Sequence, residues 1–209
     1  MRLVLASNNP GKLRELQSLL DGLGVELVAQ GTLGVGEAEE PHDTFVENAL
    51  AKARHAARAA DGAAIADDSG LVVDALDGAP GVASAHFAQL SGSHADRESL
   101  RRAQDAANNA LLLERLQGRS DRRARFVSTL VALRHADDPE PLIATGRWEA
   151  AIAHEPRGEG GFGYDPLVFI AALGKSVAEL DAPTKNVHSH RALAARQMRT
   201  LMRDAWGLG

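Results

Sequence analysis

The chain has 209 residues, of which 44% are hydrophobic and 24% charged, values that are ordinary for a globular protein and exclude wholesale disorder. Its net charge of −5 argues against a general nucleic-acid binder, and the absence of cysteine excludes disulfides, thiol catalysis and cysteine-bound zinc. Because there is no run of about 18 apolar residues and no basic-then-apolar leader, we expect a cytoplasmic protein without a membrane partner.

The first predicted elements are a buried strand over residues 2–7 and a helix directly after it. An asparagine as N-cap followed by Pro10 indicates the helix start, and Gly22 and Gly24 supply its end. Lys12 is then expected to be exposed in the first helical turn. Together with the helix dipole and the N–H groups left free at the turn, Lys12 predicts an anion site for phosphate. An ordinary capped turn is the alternative. The polar turn residues of this predicted site are Ser7, Asn8 and Asn9.

A second strand over residues 25–29 and an acidic loop precede a predicted long helix. Thr44 begins the capping-box pattern of a helix start. Four residues separate Asn48 from Lys52, so both side chains are predicted to lie on one face of this helix.

A core strand over residues 63–66 is predicted to end in a turn formed by residues 67–70. Asp67 and Asp68 in this turn, with Glu40 from the acidic loop, are hard oxygen ligands of the kind that Mg²⁺ prefers. Because consecutive strand residues point to opposite faces, at most one of the two aspartates faces a given cleft. Solvated loop acids are the alternative interpretation.

The second half of the chain continues the alternation of helices and strands. A Gly-rich loop carries Phe162, which is expected to be exposed and able to stack on a base, and the last helix begins near His190. No internal repeat or long linker is present, so the class is mixed α/β in a single domain over residues 1–209. The predicted elements are a helix over 96–117, strands over 125–134 and 142–153 joined as an antiparallel hairpin, a loop over 158–166, a strand over 167–170 and a helix over 190–206.

Three familiar nucleotide and phosphate motifs are excluded by their context. The glycines from Gly158 to Gly163 match a dinucleotide fingerprint in letters, but a strand rather than a helix follows them. Gly11 and Lys12 resemble the end of a P-loop, yet Leu13 stands where a hydroxyl should bind magnesium. The adjacent aspartates also lack the one-residue spacing of a haloacid-dehalogenase-type phosphatase.

An ordered set of segments gives the chain a family resemblance that runs from the first strand to the last helix. The segments are LASNNPGK at 5–12, TFVENALAKAR at 44–54, IADDSGL at 65–71, GFGYDP at 161–166, GKS at 174–176, and Lys185 followed by Ser189-His190-Arg191. In these segments the chain resembles the RdgB/HAM1 family of non-canonical purine nucleoside triphosphate pyrophosphatases, also called inosine triphosphate pyrophosphatases.

The resemblance implies an α/β fold with an elongated mixed sheet, flanking helices and two lobes around a central nucleotide cleft. It also implies a homodimer and Mg²⁺-dependent cleavage of a purine nucleoside triphosphate to the monophosphate and pyrophosphate. Asp68 would be the catalytic base and, with Glu40, a ligand of Mg²⁺. The triphosphate would be held by Ser7, Asn8, Asn9, Pro10, Gly11 and Lys12 with Lys52 nearby, and the rest of the nucleotide by Ser69, Phe162, Gly163, Tyr164, Asp165, Lys185, His190 and Arg191.

Hydrogen-bond types predict the preferred base. The planar guanidinium of Arg191 would donate toward O6 or N7 of a 6-oxo purine and disfavour adenine, whose amino group is itself a donor. A pocket without an acceptor near C2 would leave the 2-amino group of guanine unsatisfied. We therefore expect ITP, dITP and XTP to be better substrates than GTP and ATP.

The chain departs from the family at His86, where relatives usually have arginine, and its segment 88–109 is longer than in some relatives. His188 and His190 lack a third partner at metal-ligand spacing. Two other functions compete with the enzyme: a nucleotide-binding module without turnover, which could dispense with Asp68 and Glu40, and an RNA-binding surface on the Arg-rich stretch 97–125. That stretch contains no aromatic residue to stack on bases, which favours a solvated helix face.

Overall fold

The computed structural model describes residues 1–90 and 96–209, which form a seven-stranded mixed sheet with flanking helices. Part of the segment 88–109, residues 91–95, lies outside the described residues. The strands are β1 (Arg2–Leu5), β2 (Glu26–Ala29), β3 (Ala64–Val73), β4 (Arg123–Leu133), β5 (Leu142–Ile152), β6 (Val168–Ile170) and β7 (Lys175–Ser176). The α-helices are α1 (Pro10–Leu19), α2 (Phe45–Ala60), α3 (Arg97–Arg115), α4 (Ala182–His188) and α5 (His190–Trp206), and none of these described helices is long and apolar enough to cross a membrane.

The strands follow the order β2-β1-β3-β4-β5-β6-β7 across the sheet. β1 pairs in parallel with both of its neighbours: Leu3 lies opposite Leu27 of β2, and Leu5 lies opposite Ile65 of β3. β6 pairs antiparallel with β5 and with β7. Parallel and antiparallel pairs in one sheet confirm the predicted mixed α/β class.

Two compact units divide the chain, and each has a hydrophobic core of its own. Unit 1 consists of Met1–Ser69, Ser128–Arg147 and Asn186–Gly209, and unit 2 of Gly70–Val127 and Trp148–Lys185. The strands β3, β4 and β5 therefore contribute residues to both units. The predicted central cleft stays a prediction.

Helices cover both faces of the sheet in unit 1. Leu5 and Ile65 pack in one core with Leu16 of α1 and with apolar residues of α5. The next residue along β3, Ala66, packs instead in a second core with Ala53 of α2. Because successive side chains of a strand point to opposite faces of the sheet, the following residues of β3 also alternate between the α1/α5 face and the α2 face.

The starts of α1 and α2 agree with the predicted capping residues. Asn9 caps α1 by accepting the Gly11 and Lys12 N–H groups, and Thr44 caps α2. Ser189 caps α5, which spans the predicted residues 190–206. The short helix α4 was not predicted.

The predicted turn at residues 67–70 is wrong, because β3 is continuous from Ala64 to Val73. The polar residues in the middle of this strand are buried rather than solvated, with Asp67 1% and Asp68 5% exposed. Cationic partners from other elements neutralise both carboxylates, so the local preference of Asp, Ser and Gly for turns is overridden by tertiary contacts.

Gly146 of β5 allows α5 to approach the sheet closely. A Cβ atom there would overlap the backbone carbonyl oxygen of His190 and lie 2.6 Å from the Ala194 nitrogen. Because backbone atoms cannot rotate away, we expect Gly146→Ala to displace the start of α5 and lower the free energy of unfolding by about 1–3 kcal/mol. Urea unfolding measures this, with Gly36→Ala as the control because no atom lies within 4 Å of its added Cβ. Equal effects of the two substitutions would contradict the prediction.

Candidate active site

Asp67 and Asp68 lie on opposite faces of β3 and bind different cations, as the alternation rule predicts. The Asp67 carboxylate contacts Lys12 of α1 and Arg191 of α5, whereas the Asp68 carboxylate contacts Lys52 of α2. All of these residues belong to unit 1. Two acids that are adjacent in sequence therefore form two separate charge clusters.

The Asp67 side chain is completely buried and accepts several hydrogen bonds. Its Oδ2 atom lies 3.0 Å from Lys12 Nζ and 3.0 Å from an Nη atom of Arg191, and its Oδ1 accepts from the Ser128 hydroxyl at 2.7 Å. Burial alone would raise the pKa of Asp67, but Arg191 and then Lys12 lower it well below its usual range. Asp67 is therefore ionised and paired with both Lys12 and Arg191.

Arg191 is only 2% exposed, and all three of its guanidinium nitrogens are bonded to protein groups. Nε donates to Asp67, one Nη donates to Glu15 at 2.6 Å, and the other donates to the Ser69 hydroxyl at 3.2 Å. The prediction that Arg191 donates to the edge of a purine stays a prediction. Here the guanidinium is an internal cation that links α1, β3 and α5.

On the other face of β3, Lys52 brings Glu40 and Asp68 together. Its Nζ atom lies 2.7 Å from Asp68 Oδ1 and 3.1 Å from Glu40 Oε2. Both carboxylates therefore lie beside the same ammonium group, on the same face of β3. The Asp68 side chain is 7% exposed and that of Glu40 46% exposed, so the pair reaches from the protein interior to solvent.

The electrostatics of Asp68 differ from those of its neighbour. Burial raises the pKa of Asp68 to about 6, although Lys52 acts in the opposite direction. An aspartate with a raised pKa accepts a proton more readily than an ordinary aspartate, whose pKa is about 3.9. The Oδ2 atom is buried and has no hydrogen-bond partner among the described residues, so this acceptor of Asp68 is unused.

The start of α1 differs from the predicted cradle of free N–H groups. The Asn9 side chain accepts from the Gly11 and Lys12 N–H groups, and the Asn9 N–H donates to the Ser7 hydroxyl. The Asn8 amide donates to Glu37 of the acidic loop. Lys12, predicted to be exposed, is partly buried because its ammonium is bound to Asp67.

In unit 2, Phe162 forms an exposed aromatic platform. The residue is 38% exposed, and Lys185 Nζ lies 5.0 Å from the centroid of its ring. Asp165 holds this arrangement, because its Oδ2 accepts from the Phe162 N–H at 3.1 Å and from Lys185 Nζ at 2.8 Å. Only glycine fits at position 161, where φ is +77° and a Cβ would overlap the Asp165 carboxylate.

The remaining predicted site residues have varied surroundings. Tyr164 is 4% exposed and donates to the Ser84 carbonyl, and burial followed by nearby Asp105 raises the pKa of its phenol. The backbone of Gly163 is bonded to side chains of α3. Pro10 and His86 are exposed, whereas His190 is buried. Among the described residues, no group of three or more His, Asp or Glu side chains is placed to hold a metal.

Two residues of the Asp67 cluster were missed from the sequence. Glu15 lies one turn after Lys12 on α1, so its spacing to a predicted site residue could have suggested it. Ser128 comes from β4, 61 residues away from Asp67 along the chain, and no local pattern points to it.

Comparison with known proteins gives a consistent result. A family model described as the Ham1 family matches residues 3–201. A dITP/XTP pyrophosphatase of Methylibium petroleiphilum is 70% identical over 206 residues, and the match covers 99% of either chain. A dITP/XTP pyrophosphatase of Leptothrix cholodnii is 66% identical over 211 residues and is matched over the full length of both chains. A solved structure of a HAM1 protein from Coxiella burnetii is 42% identical, with a TM-score of 0.87 over 98% of this chain and 100% of that one.

Proposed function

The chain belongs to the Ham1 family, and we propose that it hydrolyses non-standard purine nucleoside triphosphates (ITP, dITP and XTP) to the monophosphate and pyrophosphate. The observation that carries the proposal is the convergence of Glu40 and Asp68 on Lys52. Membership in the family and the names of its relatives favour an enzyme over a binding module without turnover and over an RNA-binding protein. We extend the proposal to a cytoplasmic homodimer on the strength of the family resemblance.

The donor set fits a magnesium ion. Mg²⁺ in nucleotide enzymes is usually held by one or two carboxylates together with substrate phosphates, so Glu40 and Asp68 suffice as protein ligands. The unpartnered Oδ2 atom of Asp68 supports this assignment, because a buried carboxylate oxygen without a donor is open to a cation or a water. When bound, Mg²⁺ would neutralise phosphate oxygens and acidify a bound water.

Lys12 and Lys52 are the proposed phosphate ligands. In the structure each ammonium group is paired with an aspartate: Lys12 Nζ lies 3.0 Å from Asp67 and Lys52 Nζ lies 2.7 Å from Asp68. Triphosphate oxygens can replace these carboxylates as partners, since ammonium groups donate to either. The bonds between Asn9 and the first turn of α1 must break if those N–H groups are to bind phosphate as well.

Asp68 is the proposed base. A water attacks the α-phosphorus in line with the leaving group, the new bond forms between water oxygen and phosphorus, and the bond to the bridging oxygen breaks. Pyrophosphate leaves with that electron pair, and Asp68 takes the proton of the water. Fixed charges and positioning supply most of the rate enhancement in such a reaction.

The direct test is pyrophosphate release from a panel of ITP, dITP, XTP, GTP, ATP, CTP and UTP, with and without Mg²⁺. We expect release from the first three, and loss of release when the cation is chelated. Release of orthophosphate in place of pyrophosphate, or turnover that persists in excess chelator, would contradict the proposal.

The Phe162 platform is the proposed site of the base. A ring of this kind stacks on any purine, with a contribution of about 1–3 kcal/mol, so it does not discriminate by itself. Lys185 beside the ring offers donors and no acceptor, which suits the 6-oxo group of hypoxanthine or xanthine and not the amino group of adenine. The contact predicted between Arg191 and the base remains part of the proposal.

We expect kcat/KM for ITP to exceed that for GTP by roughly 10–100-fold. The 2-amino group of guanine is left without an acceptor on entering such a site, which costs about 1–3 kcal/mol. Initial rates on both nucleotides at subsaturating concentration measure the ratio. A ratio near one would contradict the proposal that the site rejects guanine through its 2-amino group.

A further inference from the structure

Side chains of α3 bind both backbone polar groups of Gly163. The Gly163 N–H donates to Asp105 Oδ2 at 2.9 Å, and the Gly163 carbonyl accepts from Asn109 Nδ2 at 2.9 Å. Asp105 and Asn109 are four residues apart, so they project from one face of α3. Neither residue was among the predicted site residues.

The residues on either side of Gly163 are bonded to the protein as well. The Phe162 N–H donates to Asp165, and the Tyr164 hydroxyl donates to the Ser84 carbonyl at 3.0 Å. Phe162 is 38% exposed, whereas Tyr164 is 4% exposed. The segment that carries the Phe162 ring is therefore bonded at Phe162, Gly163 and Tyr164, so the orientation of the ring depends on those bonds.

α3 is attached to the same anchor as Tyr164. Asn108, which is 2% exposed, donates to the Ser84 carbonyl at 3.2 Å and accepts from the Ala88 N–H at 2.8 Å. The Ser84 carbonyl thus accepts from both Asn108 and Tyr164. Because helix and loop share this acceptor, the contacts of Asp105 and Asn109 join two segments that are already held together.

We propose that Asp105 and Asn109 are positioning residues that determine the affinity for the base by fixing the loop that carries Phe162. The proposal rests on the proposed function, in which Phe162 receives the base. Asp105 and Asn109 act through Gly163 and Phe162 rather than through Glu40 and Asp68. Their loss should therefore weaken binding of the base and leave the chemical step intact.

The two contacts differ in hydrogen-bond type, which gives matched variants. Asp105→Ala removes the acceptor, whereas Asp105→Asn keeps an acceptor oxygen at the same place. Asn109→Asp keeps the size of the side chain but removes the donor and opposes a carboxylate to the Gly163 carbonyl. The control is Ala110→Ser, an exposed position on the same helix.

We expect KM for ITP to rise roughly tenfold in Asp105→Ala and Asn109→Asp, the order expected when a stacked base loses its platform, with kcat nearly unchanged. Asp105→Asn and the control should keep the wild-type KM. Inorganic tripolyphosphate, which has the phosphate chain and no base, is the probe of the phosphate site, and we expect it to compete with ITP with the same inhibition constant in every variant. The Gly163 amide proton should exchange with deuterium faster in Asp105→Ala and at the wild-type rate in Asp105→Asn.

A wild-type KM for ITP in Asn109→Asp would overturn the proposal, as would a parallel rise of the tripolyphosphate inhibition constant, which indicates general loss of structure. Equal defects in Asp105→Asn and Asp105→Ala would also overturn it. These outcomes leave the proposed function standing, because the wild-type protein still cleaves ITP. Absence of pyrophosphate release by the wild-type protein refutes the proposed function itself, and the positioning role falls with it.

Discussion

Replacing Asp68 by asparagine is expected to lower kcat for ITP hydrolysis by about 10²–10⁴-fold, the usual range for loss of a general base. Asparagine keeps the shape of the side chain and can accept from Lys52, but it cannot take a proton from water or balance a divalent cation. Lys52 retains Glu40 as a partner at 3.1 Å, so the variant should fold. Pyrophosphate release at saturating ITP and Mg²⁺ measures the loss.

The matched control is Asp137→Asn, the same chemical change at a side chain that is 88% exposed. We expect wild-type kcat in that variant. Circular dichroism and urea unfolding of both proteins separate a catalytic defect from misfolding. Near-normal turnover in a folded Asp68→Asn protein would remove Asp68 from the role of base.

Asp67→Ala is expected to lower the free energy of unfolding by about 3–5 kcal/mol, the typical effect of removing one partner from a buried ion pair. The Asp67 side chain is 0% and the Arg191 side chain 2% exposed, so water cannot replace the lost carboxylate. Arg191 would keep only Glu15 as an anionic partner, and the Ser128 hydroxyl would lose its acceptor. Urea unfolding followed by circular dichroism measures the change.

Asp137→Ala again serves as the control, because exposed substitutions usually change stability by less than about 0.5 kcal/mol. Asp67→Asn should fall between the two, since it keeps an acceptor and loses the charge. A loss below about 1 kcal/mol in Asp67→Ala would show that the Asp67 cluster contributes little to folding.

Local signals predicted the parts of the fold that depend on neighbouring residues. Asn9 and Thr44 cap α1 and α2 as predicted, and the bounds of α5 agree with the prediction. The placement of Asp67 and Asp68 on opposite faces followed from the period of a strand alone. In each case the interaction that decides the structure spans a few residues.

Contacts between distant segments could not be predicted from the sequence. The strand through Asp67 and Asp68 has the local composition of a turn, and only cations from other helices make it stable as a buried strand. Arg191 looked like a free donor at a helix start, but its partner Asp67 lies 124 residues away. Which hydrogen bonds and ion pairs a buried polar side chain makes depends on the partners that the tertiary fold supplies.

The first N–H groups of α1 are not free as predicted, and the reason is local. An asparagine N-cap satisfies the first N–H groups of a helix with its own side chain, so the predicted cap and the predicted free donors exclude each other. Lys12 was predicted to serve the cradle, and its partner in the described structure is Asp67. The charge of the site therefore resides in side chains, in Lys12 and Lys52, more than in the backbone.

The most direct test of the proposed chemistry is hydrolysis of ITP in water enriched in ¹⁸O, with both products analysed by mass spectrometry. Attack at the α-phosphorus by a water that Asp68 orients places one ¹⁸O atom in inosine monophosphate and none in pyrophosphate. Label in pyrophosphate, or orthophosphate as the labelled product, would mean that water attacks another phosphorus atom and would contradict the proposed mechanism.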